Sequence, residues 1–139
     1  MANLARAIKA FLEKRGAATV GIVASSEVKD ALQVRGTSLM EKAQSVVCFG
    51  FAVPEGVFTT PVLAEAQYWR AVSMLYRQID FLSIDAAHFL EAQGYQSLPL
   101  FTCFPQYTDR PRYIGAAQLV PIAVAAGLGG LAKCGLVIA

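Results

Sequence analysis

A chain of 139 residues that is 55% hydrophobic and 16% charged is long enough for one domain with its own core, and too apolar to be disordered. Its formal net charge of +2 comes from scattered Lys and Arg with no like-charge blocks, which argues against an electrostatic nucleic-acid footprint. So much apolar surface asks for a second copy, a second domain or a large cofactor to cover it.

Leu4, Ile8, Phe11 and Leu12 recur at helical spacing, with Arg6, Lys9, Glu13 and Lys14 on other faces, and Gly16 supplies a stop. The charges inside this pattern leave it without the unbroken apolar core expected of a signal peptide. ATVGIVAS reads as a short buried strand, and Ser25 or Ser26 is placed to cap a brief helix through EVKDALQV. AQSVVCFGFAV, residues 43–53, is rich in Val and Phe and stops at Pro54, as a central strand would. PEGVFTTP is a loop.

Val72, Leu75, Ile79, Leu82, Ala86 and Phe89 then step by threes and fours, with Trp69 extending the stripe backwards. This predicts one buried face of a helix from about 62 to 93, closed by Gly94, with Asp80, Asp85 and Glu91 on its solvated side. YQSLPLFT reads as a third strand entering the aromatic loop CFPQYTDRPRY. A short helix over about 119–126 carries Pro121 in its first turn, where a missing N–H costs little, and LVIA is a fourth strand. Residues 114–139 are the one candidate for a membrane span, but Gln118, Pro121, Lys133 and the glycines suit a lipid-facing helix poorly, so the segment reads as core. Helices and doubly apolar strands alternate through a single domain, 1–139, and predict a layered α/β or α+β sheet with helices packed over it.

Cys48, Cys103 and Cys134 lie far apart with no paired spacing, so neither a zinc site nor an iron–sulfur cluster is encoded; they read as buried thiols of a cytoplasmic protein. His88 is the single histidine and falls within the long helix. No serine elbow and no phosphate-binding lysine loop occur. Gly127 and Gly129 supply G-x-G, but they follow a helix and precede a strand, the reverse of the dinucleotide-binding order. In AAGLGGLAKCGLVIA, Gly127 fits the left-handed position that ends a helix, while Gly129, Gly130 and Gly135 let backbone approach something closely. Amides bared in such a turn can meet the polar groups of a flat ligand, with Lys133 adding a cation. A tight helix-to-strand connection with nothing bound accounts for the same spacing.

The run Ala126-Gly127-Leu128-Gly129, followed by Ala132-Lys133-Cys134-Gly135-Leu136-Val137-Ile138, resembles the signature of the cobalamin-dependent reductases, the family that groups epoxyqueuosine reductase with reductive dehalogenases. The preceding PIAVA and the run FLSIDAAHFLEAQGYQSLPL are similar to the dehalogenase version, and AQSVVCFGFAV to the strand before the family's long helix. The resemblance implies a nitroreductase-like fold and a corrinoid (cobalamin) held without an axial histidine, with Gly127, Leu128, Gly129, Lys133 and Cys134 as cofactor contacts. In the family the cobalt is reduced by iron–sulfur clusters in a following domain and then acts on the substrate.

Three departures stand out. The third motif glycine is Ala132 here. The acid of epoxyqueuosine reductase has no counterpart: Tyr113 falls at its register, and Tyr68, Tyr76, Tyr107 and Tyr113 all stay open as proton donors. The chain carries no cluster-ligating cysteines and stops at Ala139. It is therefore expected to be either a truncated piece of a longer reductase or a module that completes its sheet by dimerisation, in both cases relying on an iron–sulfur or flavin electron donor. A corrinoid carrier or processing protein without catalysis, a cofactor-free structural or interaction subunit, and a flavin-binding nitroreductase-like protein are the competing readings. The last lacks a visible basic cluster for a flavin phosphate.

Overall fold

The computed structural model describes residues 2–34, 37–38, 41–101, 106–107, 113–114 and 117–138. In chain order these form α1 (Ala2–Lys14), β1 (Thr19–Ala24), two 3-10 turns (Ser25–Val28 and Asp30–Leu32), β2 (Gln33–Val34), β3 (Thr37–Ser38) and β4 (Ser45–Gly50). There follow α2 (Gly56–Thr59), α3 (Ala64–Glu91), β5 (Gln106–Tyr107), β6 (Tyr113–Ile114), α4 (Leu119–Ala125), β7 (Gly130–Leu131) and β8 (Val137–Ile138). The architecture is α+β. The described strands pair only as antiparallel twos: β1 with β4, β2 with β3, β5 with β6, and β7 with β8.

The β1–β4 ribbon organises the core, and its alternation explains why both strands are apolar on both faces. Val20 and Ile22 of β1, with Val47 and Phe49 of β4, pack on one side against Ile8 and Leu12 of α1 and Leu82 and Ala86 of α3. Val23, Val46 and Cys48 face the other side, where Val28, Ala31 and Leu32 of the 3-10 turns meet Ile122 of α4. The ribbon is thus the middle of three layers. Ile8, Leu12 and Ile122 are essentially inaccessible to solvent, and burying each such side chain stabilises by about 1.5–3 kcal/mol.

α1, α3 and α4 end in one way. The amide of Gly16 donates to the Glu13 carbonyl and that of Ala17 to Leu12; Gly94 and Tyr95 repeat this on Glu91 and Leu90, and Gly127 and Leu128 on Val124 and Ala123. All three glycines have positive φ. This crossed pair of bonds satisfies the last carbonyls of a helix and needs a left-handed residue, which glycine adopts without steric cost. The Arg15 guanidinium lies 3.8 Å above the Phe11 ring and 3.8 Å from the Asp85 carboxylate, tying the end of α1 to α3.

Several expectations need correction. Ser25 caps no helix: its hydroxyl donates to the Ala43 carbonyl across the chain, and EVKDALQV forms 3-10 turns and then strand β2. The strand within 43–53 is not central, since among the described residues it pairs with β1 alone. PEGVFTTP contains the single turn α2. Residues 95–101 have no regular structure, so YQSLPLFT is not a strand over its described part; most of the loop CFPQYTDRPRY lies outside the described residues. LVIA contributes β8 to a local hairpin and not to the ribbon.

The largest correction concerns α3. At 28 residues it spans about 42 Å, and its fully buried residues (Leu82, Ser83, Ala86 and Ala87) all lie in its second half. Val72, Leu75, Ile79 and Phe89 are half-buried, whereas Trp69 is 60% exposed. At this end Phe58 of α2 packs nearby, its ring 5.9 Å from that of Tyr68. The stripe is continuous in sequence, but the ribbon beneath it is only six residues long and supports one half. No helix among the described residues is long and apolar enough to cross a membrane.

Candidate functional site

The candidate residues sit on the segment that leaves α4 and returns as a hairpin. α4 is anchored at both ends. The Gln118 amide, just before its first turn, donates to the Ala31 carbonyl at 2.9 Å, and Ile122 fills the core beneath. Its far end rests on the ribbon at Gly21. A Cβ at Gly21 would run into the Ala126 carbonyl oxygen and stand 2.9 Å from the Ala126 Cβ. Gly21 is therefore what lets the helix end lie flat on β1, and it fixes where Gly127 begins the turn. Sequence reasoning missed this residue. Its signal is a lone glycine inside a strand of branched residues, which often marks a close backbone approach.

Beyond Gly127, the chain forms the β7–β8 hairpin, with Gly130 opposite Ile138 and Leu131 opposite Val137. The Gly135 amide donates to the Ala132 carbonyl at 2.9 Å and the Ala132 amide to the Leu136 carbonyl at 2.8 Å. With Gly135 at φ +81°, this is a three-residue loop whose third residue is left-handed. Lys133 and Cys134 are its exposed tip. Cys134 is accordingly not a buried thiol, and Cys103 lies outside the described residues.

Of the five sequence-predicted contacts, Gly127, Leu128 and Gly129 stand at the foot of the hairpin. Lys133 and Cys134 stand at its tip, roughly 10 Å further along. Gly129 faces inward, because a Cβ there would collide with the Ile138 carbonyl and come within 2.9 Å of the Val137 side chain. Gly127, Gly130 and Gly135 are different: an added Cβ would meet nothing within 4 Å at any of them. The apolar side chains of Leu131, Leu136 and Ile138 are exposed beside this bared backbone, each more than 60% accessible.

Cys48 lies directly across the ladder from Gly21, beneath the end of α4. Burial pushes its thiol above the usual range, while the Phe49 backbone hydrogen bond pulls more weakly the other way. It is a protected thiol, poorly suited to nucleophilic work. Among the described residues no group of three His, Cys, Asp or Glu could hold a metal ion. His88 is exposed on α3, as are Tyr68 and Tyr76; Tyr107 and Tyr113 oppose each other in the β5–β6 pair. A shallow, open depression occurs at the start of α3, lined by Leu63, Ala64, Glu65, Ala66 and Trp69, and none of the candidate contacts lines it. No protein-family model, curated protein or solved structure matches the chain.

Proposed function

We propose that this chain is a corrinoid-binding module resembling the cofactor domain of the cobalamin-dependent reductases, on a nitroreductase-like α+β framework. The observation that supports it is the bared backbone at Gly127, Gly130 and Gly135, where open space stands in place of side chains, on a hairpin tipped by Lys133. These residues fit one face of a flat macrocycle fringed with amides: glycine backbone for the ring, exposed Leu131 and Leu136 for its apolar rim, and Lys133 for a polar arm. Gly127, Leu128, Lys133 and Cys134 remain the proposed contacts, while Gly129 acts by holding the hairpin closed. A flat ligand is held between two walls, so a second copy of the chain or a further segment supplies the other face.

A bound corrinoid supplies low-valent cobalt for reductive chemistry. The protein's part is to hold and orient it without a histidine ligand, because His88 belongs to a different face of the molecule. Electrons come from a separate iron–sulfur or flavin protein, and the setting is cytoplasmic. The test is a visible-absorbance titration of the folded chain with hydroxocobalamin, repeated under reducing conditions. Gly129→Trp is a poor probe, since it would break the hairpin; Gly130→Trp fills open space instead. A saturable shift towards the base-off spectrum, kept in Gly56→Trp and weakened about tenfold or more in Gly130→Trp, a loss of ~1.4 kcal/mol, supports the module. No shift from a chain with native circular dichroism overturns it. Turnover with an added reductant separates a catalytic module from a corrinoid carrier.

A cofactor-free interaction subunit is the second reading, favoured by the uncovered start of α3, where Val62 and Leu63 just before the helix and Trp69 within it are all at least 60% exposed. It takes that surface as the contact with another protein or with a second copy. No corrinoid shift together with concentration-dependent self-association would select it.

A further inference from the structure

We draw no further inference here: the strongest candidate, the exposed apolar patch formed by α2 and the first half of α3 around Phe58, Leu63, Tyr68 and Trp69, carries nothing because nothing in the structure shows what covers it.

Discussion

Gly21→Ala tests how the end of α4 is seated. The added methyl has no rotamer by which to escape, and it meets backbone: the Ala126 carbonyl oxygen, the Ala126 carbonyl carbon at 3.0 Å and the Ala126 Cβ at 2.9 Å. Carbon atoms rest about 3.5–4.0 Å apart, so the strand or the helix end must move by most of an ångström. Overpacking of this kind costs roughly 1–3 kcal/mol. Stiffening the unfolded chain by replacing glycine returns about 0.4–1 kcal/mol. The expected net loss is about 1–2 kcal/mol, or roughly 3–7 °C in Tm for a chain of this length. Urea denaturation with an unchanged m-value measures it. Gly56→Ala is the control, because its Cβ meets nothing within 4 Å inside a helical turn; it should be neutral or stabilise by up to about 1 kcal/mol. Adding Ala126→Gly to Gly21→Ala removes the side-chain contact and leaves the carbonyl, so it should restore only part of the loss. A Gly21→Ala chain as stable as the parent would refute the seating of α4 on β1, and with it the position of the hairpin.

The half-covered helix predicts that Leu82→Ala costs about 2–5 kcal/mol as a core deletion, whereas Trp69→Ala stays within about 1 kcal/mol; equal losses would mean that α3 is buried along its whole length. Leu63 stands at φ +59° before α3 with no side-chain cap, a conformation that costs a branched residue about 1–2 kcal/mol, so Leu63→Asn should raise the urea midpoint, and a lower midpoint would count against that backbone. Alkylation followed by peptide mapping should label Cys134 well before Cys48, and the reverse order would contradict the hairpin tip. Because folding raises the Cys48 pKa, its contribution to stability is present below the ordinary thiol range and declines as pH rises above about 8.5–9. Cys48→Ala should flatten that decline; identical pH slopes in the two proteins would refute the burial.

What the sequence made legible is what depends on local chemistry. α1, β1, β4, α3 and α4 all announce themselves by period or by branched residues, and Gly16, Gly94 and Gly127 mark where helices stop because only a left-handed residue closes that bond pattern. The covering of α3 was not legible, since a stripe through Trp69, Val72 and Leu75 states which face is apolar and not what lies against it. Ser25 misled for a related reason: a serine caps a helical pattern only if its hydroxyl oxygen accepts from a first-turn amide, and the fold instead turns this hydroxyl to donate to the Ala43 carbonyl. The site was half legible. Its glycines were visible as a cluster, but Gly21, distant in sequence and placed by packing alone, was not. Nor could spacing reveal that β7 and β8 pair with each other, because strands of two residues carry no alternation to read.

Gly130 is where a ligand-binding hairpin and an empty one make different predictions. Gly127 and Gly135 have positive φ, and Gly129 is pressed against Ile138, so chain geometry alone requires glycine at those three positions. Gly130 has neither reason. It lies within β7, outside the left-handed region, with open space where a side chain would go. A glycine in a strand is a burden of roughly 0.5–1 kcal/mol relative to residues that pack on a pleated surface. If the hairpin is only a connection, Gly130→Val should stabilise the chain by about that much and change nothing else. If a flat ligand lies on the bared backbone, the same valine should stabilise the free protein and weaken hydroxocobalamin binding about tenfold, a loss of ~1.4 kcal/mol. Measuring the urea midpoint and the titration on one sample decides between them. Greater stability with unaltered corrinoid affinity would remove this face from the cofactor site. Lower stability would mean that the space above Gly130 is filled, and the bared-backbone argument would fall with it.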